Sequence, residues 1–246
     1  MENDCFYTGA SGMRCVASGR PVESERAMPL YVLLLAILGF TGVFMTALHF
    51  GFHAPGSKPL RIREEKGRKL GGRSYYVRGA LNALFSGAMV FVFAYGLYPH
   101  LFYEATPAWW RIPLEVVVVL LVYDFAYYFL HRFPFHQWSV LKRVHAVHHK
   151  AKYPTVLDSL YLHPVENILG LALLTACTWA VGPVHIYSYA VMFFIYSHLN
   201  LSVHCGLDLP LLGPMSKKHD KHHASMRAGN YASLTPLPDL LFGTTV

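Results

Sequence analysis

The chain has 246 residues, of which 54% are hydrophobic, 15% aromatic and only 14% charged, with a net charge of +7. That balance is too apolar for an ordinary soluble domain. The basic excess does not form a stripe interleaved with stacking aromatics, which argues against a nucleic-acid binder.

Residues 1–28 are polar and Gly/Ser-rich with mixed charge, and lack the apolar core of a cleaved signal peptide; a disordered tail is expected there. Met28 is itself a candidate start, because the first apolar run, Pro29 to Phe50, opens directly after it. A basic loop follows. Between Gly51 and Arg78 eight Lys or Arg stand against two Glu, the pattern of a solvated segment touching lipid headgroups. Gly79 to Leu101 and Trp109 to Leu130 are the next two apolar runs, and roughly 20 such residues span the hydrocarbon of a bilayer. A pair of shorter arms fills Asn167 to Val203, broken at Gly182 and Pro183. Whether these arms cross or re-enter, the chain returns to the side it left. The expected fold class is therefore all-α: an integral membrane helical bundle of three crossings plus a helical hairpin, with a cytosolic histidine-rich helical cap.

Charge assigns the sides. The loop of Gly51 to Arg78 and the segments 132–166 and 204–246 carry seventeen of the twenty-one basic residues, all on one side of this topology. By the positive-inside rule that side is the cytosol. Cys5, Cys15, Cys177 and Cys205 have no CxxC spacing, so neither a disulfide framework nor a thiolate metal site is expected.

The fifteen histidines concentrate on the same side. In "HAVHH", His145, His148 and His149 fall at i, i+3 and i+4 and project from one helix face, and "HDKHH" repeats the pattern with His219, His222 and His223. His131 and His136 bracket "RFPF", where Pro134 breaks the helix and lets the second histidine turn back toward the first. His163 in "LHPVEN" and His204 in "SVHCG" lie at similar depth, making ten candidate ligands. Ten imidazoles exceed the needs of one metal and suit two, with four or five ligands each. Imidazole without thiolate is compatible with iron, zinc or copper. Asp124, Tyr128 and His131 share a helical stripe, and Asp124 and Tyr128 are the candidate catalytic residues: an acid within a transmembrane segment is costly, and Asp124 is expected to accept a ring N–H from a ligand histidine. His49, His53, His100 and His185 lie near crossing ends and read as interfacial residues, and His198 as packing.

Together, "DFAYYFLHRFPFH", "HAVHH", "LHPVE", "VHCGLDLP", "HDKHH" and "NYASLTPLPDLLFGT", in that order, resemble the fatty acid hydroxylase superfamily, also called the sterol desaturase family, over roughly residues 75–246. The resemblance implies a catalytic domain over 75–246, preceded by a helix and basic loop at 29–74. It implies a di-iron centre, with zinc possible in isolated protein. The boxes holding it would be His131 and His136; His145, His148 and His149; and His219, His222 and His223, with His163 and His204 at additional positions. The first box departs from the HxxxH of many sterol-type members and is nearer fatty acid 2-hydroxylases, whereas "HPVE" and "VHCG" look like the sterol and sphingolipid branch. Branch therefore does not fix the substrate.

The implied reaction is hydroxylation or desaturation of a lipid C–H bond with dioxygen. With no cytochrome b5 domain fused, electrons would come from a separate donor of cytochrome b5 or ferredoxin type. A dizinc lipid hydrolase, with Glu166 or Asp220 as base, and a metal or haem carrier are the alternatives. The compact chain, without a lysine-type retrieval tail, favours a bacterial inner membrane over the endoplasmic reticulum.

Overall fold

A backbone inside a bilayer has no water to bond, so an apolar run must close its hydrogen bonds within itself. Even a β-branched run such as the "VVVV" of residues 116–119 is therefore helical. The computed structural model describes residues 3–7, 13–17, 28–63 and 70–246. In chain order its elements are β1 (Asn3–Tyr7), β2 (Met13–Ala17), α1 (Leu30–His53), α2 (Gly72–Gly96), the short α3 (Tyr98–Leu101), β3 (Phe102–Tyr103), α4 (Arg111–Leu130), α5 (Ser139–His145), α6 (Pro164–Val181), β4 (Val184–His185), α7 (Ile186–Val203), α8 (Gly213–Ala224) and α9 (Leu237–Leu241). A π-turn at His131–Phe135 extends α4, and 3-10 turns occupy His148–Lys150 and Val156–Leu160.

The protein is an all-α membrane bundle. Helices α1, α2, α4 continued to Phe135, and α6 are long and apolar enough to cross a membrane. Antiparallel α6 and α7 form the expected hairpin, turned at Gly182, whose φ of 107 only glycine adopts readily. Large apolar side chains stand exposed along the bundle, among them Phe40, Val43, Leu84, Val92 and Val117, a surface suited to lipid rather than water.

Among the described residues of the first 28, β1 and β2 pair antiparallel, with Cys5 opposite Cys15; the rest of the expected tail lies outside the described residues. One expectation is corrected. The basic loop is not simply solvated: Ile62 N donates to Gly206 O at 2.9 Å, Asp208 N to Leu60 O at 2.7 Å, and Arg63 pairs with Asp220 of α8. Residues 64–69 of that loop lie outside the described residues. Helix α2 also begins at Gly72, before the apolar run at Gly79, because its first two turns pack on the cap through Tyr75, whose hydroxyl donates to Asp158 Oδ1 at 2.8 Å.

In lipid, helices associate by close packing and interhelical hydrogen bonds, not by expelling water, and each such bond contributes about 0.6–2 kcal/mol. The main core joins Leu34 of α1, Val90 of α2, Val119 and Tyr123 of α4, Leu174 of α6 and Met192 of α7. Asn82 Nδ2 donates to Leu160 O and Leu162 O, both at 2.9 Å, and Asn167 Nδ2 to Ser86 Oγ at 2.6 Å, tying α2 to the start of α6. A second core, Leu48, Phe52, Val156, Leu201, Cys205 and Leu207, seats the cap on α1 and α7. The C-terminal ends of α1, α4 and α7 and the N-terminal ends of α2 and α6 thus meet at one end of the bundle, under α5 and α8.

Candidate metal centre

Nine of the ten expected histidines converge at that end, in two groups. His131, His136, His145, His149 and His222 form one; His148, His204, His219 and His223 form the other, and within each group the nearest nitrogens all lie within 4.8 Å of one another. Helix α4 delivers His131 at its π-turn, and Pro134 bends the chain so that His136 Nε2 returns to 3.3 Å from His131 Nε2. The two HxxHH boxes divide between the groups. In each box the i and i+4 histidines share one group and the i+3 histidine joins the other: His145 and His149 meet His222, while His219 and His223 meet His148. The groups adjoin, since the rings of His149 and His223 stack at 4.7 Å.

Hydrogen bonds fix the rings. Carbonyl oxygens only accept, so His131 Nδ1 donates to Tyr231 O (2.7 Å), His136 Nδ1 to Met226 O (2.8 Å), His222 Nδ1 to Gly229 O (2.9 Å), His223 Nδ1 to Ala151 O (2.9 Å) and His204 Nδ1 to Asn200 O (2.7 Å). His145 Nδ1 lies 2.8 Å from Glu166 Oε1. In the neutral ring each such Nε2 carries a lone pair, and these lone pairs face one another: His131 to His145 at 3.0 Å and to His136 at 3.3 Å. Lone pairs converging at that range repel unless a cation lies among them. The donor set therefore fits two metal ions of the kind imidazole binds.

Burial also keeps the rings neutral, the form that ligates. It pushes the pKa of His145 and His148 down to about 3 and of His136 and His204 down to about 4. His149, His219, His222 and His223 are held low by burial and then by neighbouring imidazoles.

Three expected site residues lie elsewhere. His163 joins neither group; its Nδ1 accepts from Val165 N at 3.2 Å and caps α6. Asp124 accepts no histidine proton. It takes Ser233 N, Leu234 N, Thr235 N and Thr235 Oγ1 at 3.2, 2.8, 3.0 and 2.6 Å. The physical reason is reach: seven residues of helix put it about 10 Å along the axis from His131. The Tyr128 hydroxyl accepts from Arg132 at 2.6 Å and meets Thr244 Oγ1 at 3.2 Å, and its ring stacks on Phe242. Asp124 and Tyr128 therefore secure the C-terminal segment, with Asp239, which accepts from Tyr231 N and Ala232 N at 2.8 Å each. That segment supplies the carbonyl holding His131. The partner carbonyls leave no trace in the sequence, because every residue has one; Glu166 was visible three residues after His163.

A mostly apolar cavity of about 570 Å³ opens among α1, α2, α4, α6 and α7 and ends on Tyr127, His148, Glu166, Asn200 and His204. Tyr127, His148, Asn200 and His204 also line a small cavity of about 20 Å³ that touches both groups through His131, His145 and His219. A lipid-sized space thus leads to the histidines.

The profile of the family described as fatty acid hydroxylase matches residues 116–244. Methylsterol monooxygenase 2-2 of Arabidopsis thaliana is 31% identical over 148 residues, covering 56% of this chain and 54% of that protein. Methylsterol monooxygenase 1 of Rattus norvegicus is 30% identical over 157 residues, 58% of this chain and 50% of that protein. A very-long-chain aldehyde decarbonylase of Oryza sativa subsp. indica is 34% identical over 148 residues, 56% and 54%. The chain spans about half the length of these curated relatives. No solved structure matches it. The matched profile covers just over half of the chain, through both HxxHH boxes and the C-terminal segment that holds His131, and on that ground the protein belongs to the fatty acid hydroxylase family.

Proposed function

We propose that the protein is a membrane-bound di-iron oxygenase that hydroxylates or desaturates a C–H bond of a lipid. The observation that carries this reading is the junction of the apolar cavity with the histidine groups at His148 and His204. His131, His136, His145, His149 and His222 would hold one iron, and His148, His204, His219 and His223 the other. Bound iron would supply the activation of dioxygen that side chains cannot. In hydroxylation one oxygen atom enters the C–H bond and the other leaves as water, with two electrons and two protons from outside.

The chain's own residues do the rest. Leu38, Met45, Leu171 and Phe193 line a cavity that shelters the lipid body from water. Tyr127 and Asn200 narrow the passage where the reacting carbon meets the histidines, holding it in place. Exposed Lys142, Arg143, Lys150, Lys152, Lys217 and Lys221 surround the cap, a surface that favours an acidic electron-donor protein of cytochrome b5 or ferredoxin type arriving from the cytosol. The same charge supports a cytosolic face for the site.

The hydrolase alternative finds no support in the relatives, which are named as monooxygenases and an aldehyde decarbonylase, and its candidate base Asp220 is engaged by Arg63. Metal analysis of purified protein, paired with lipid mass spectrometry of expressing cells against His148→Ala, tests the proposal. About two irons per chain and a lipid gaining one oxygen or losing two hydrogens, both diminished in the variant, are the expected results. Zinc with cleaved lipids would overturn it.

A further inference from the structure

Asp124, Phe125, Tyr128 and Phe129 fall in the last two turns of α4, which ends at Leu130, and all four hold the C-terminal segment. Asp124 takes the backbone N–H groups of 233–235, and Tyr128 meets Thr244 Oγ1 at 3.2 Å. The ring of Phe242 lies 6.4, 5.0 and 5.2 Å from those of Phe125, Tyr128 and Phe129. Asn230 N donates to Thr244 O at 2.9 Å, and its Oδ1 accepts from Val246 N at 3.1 Å. The segment therefore leaves the cap at Asn230 and descends beside α4 to the level of Asp124, about 9 Å along the axis from Leu130. It turns through α9 and climbs back to Asn230. Its polarity is the reverse of a helix at a water surface. The acid of α9, Asp239, is 3% exposed, whereas Leu240 and Leu241 are 59% and 64% exposed and Leu237 and Phe242 are exposed beside them. Water would favour the opposite arrangement. Backbone donors are met from within: Leu237 N donates to Thr235 Oγ1 at 3.2 Å, Leu240 N to Pro236 O and Phe242 N to Pro238 O at 3.0 Å each, and Thr244 N to Asp239 O at 2.9 Å. Irregular backbone is tolerated at membrane depth only where protein satisfies it in this way.

We propose that residues 230–246 form a re-entrant loop whose tip, Leu237 to Phe242, is immersed in the acyl chains of the leaflet nearest the histidine groups. Lipid is the occupant of this surface because the leucines are level with the apolar end of α4 and continue the face it turns to the bilayer, where Phe129 and Phe133 are exposed. The guanidinium of Arg132, 5.2 Å from the Phe133 ring and bonded to the Tyr128 hydroxyl, marks the headgroup level above them. The loop also carries Tyr231, whose carbonyl orients His131. Contact with lipid thus presses the loop against α4 and supports a ring of the five-histidine group. The inference rests on the membrane placement of α4 and not on the oxygenase reading.

The test uses the full-length protein in nanodiscs of phosphatidylcholine and phosphatidylglycerol and two probes mapped by peptide mass spectrometry. One is phosphatidylcholine bearing a trifluoromethyl aryl diazirine on an acyl chain; the other is hydroxyl radical generated in the water. Acyl-chain adducts are expected on 237–242, as on the exposed Leu121 and Val122 of α4, while exposed Lys217 and Lys221 of α8 carry none. Radical labelling of 237–242 without acyl adducts would overturn the proposal and place the loop in water. Protection of 237–242 from both probes would overturn it in favour of a second copy of the chain covering the leucines. In a Leu240→Gln, Leu241→Gln variant the labelling of 237–242 should pass from the acyl probe to the radical, adducts on Leu121 and Val122 should stay, and iron per chain should fall. Unchanged iron after that transfer would overturn the support given to His131. If the variant does not fold, the two probes on the wild type decide the immersion. Failure of the oxygenase reading would look different, with the labelling pattern intact and no oxidised lipid formed.

Discussion

His163 and His204 were equal candidates by residue type and depth, yet they have different surroundings. His204 sits at the end of α7 with Nδ1 bonded to Asn200 O and Nε2 turned to His148 and His219. His163 spends its Nδ1 on the first turn of α6. Helix N-caps contribute about 0.5–2 kcal/mol, so His163→Ala should lower the unfolding midpoint slightly and leave iron per chain unchanged. His204→Ala should lose iron. Measuring both variants side by side decides the assignment, and an iron loss in His163→Ala equal to that of His204→Ala would place His163 among the ligands. The difference was not legible locally, because both histidines follow short polar-to-apolar transitions and only the fold decides which way each ring turns.

At the scale of elements, the C-terminal segment works as a strap over the site. Asp124 of α4 gathers the backbone of 233–235, Asp239 at α9 gathers 231 and 232, and between them Tyr231 O fixes His131. Asp124→Asn exchanges one acceptor oxygen for a donor that faces backbone N–H groups. Such a conflict costs about 1–3 kcal/mol. Lower iron occupancy and faster proteolysis within 231–246 are expected, with α4 itself intact by circular dichroism. Unchanged occupancy would show that the strap does not govern His131. The sequence marked Asp124 as costly and therefore functional, and its helical stripe suggested a histidine partner. What the stripe could not show is that a segment 109 to 111 residues later fills the space beside it.

For the whole molecule, the concentration of buried imidazoles sets the response to acid. In the unfolded chain histidines take up protons as pH falls through about 6.5. In the folded protein burial delays this to about 4 for His136 and His204 and about 3 for His145 and His148. The unfolded state therefore binds more protons below 6.5, and stability falls as pH falls. Metal-free protein should have a flat unfolding midpoint above about pH 7 and a steadily lower one from 6.5 toward 4, read by thermal denaturation in detergent. A midpoint that rises on acidification would contradict the buried, neutral rings described here.

The sequence by itself determined the spans and the chemistry of the donors. Apolar length and the i, i+3, i+4 spacing of histidines are properties of a few consecutive residues, and helix geometry translates them directly into structure. It also held the family's order of motifs. Only the tertiary structure decided which histidines gather together, because each HxxHH box is split between two groups, its i and i+4 rings joining one and its i+3 ring the other. It likewise decided that backbone carbonyls, identical in every residue, orient the rings, and that His163 is a cap and Asp124 a clamp. Those outcomes depend on which elements pack together, and a contact between distant segments has no local spacing by which to be read.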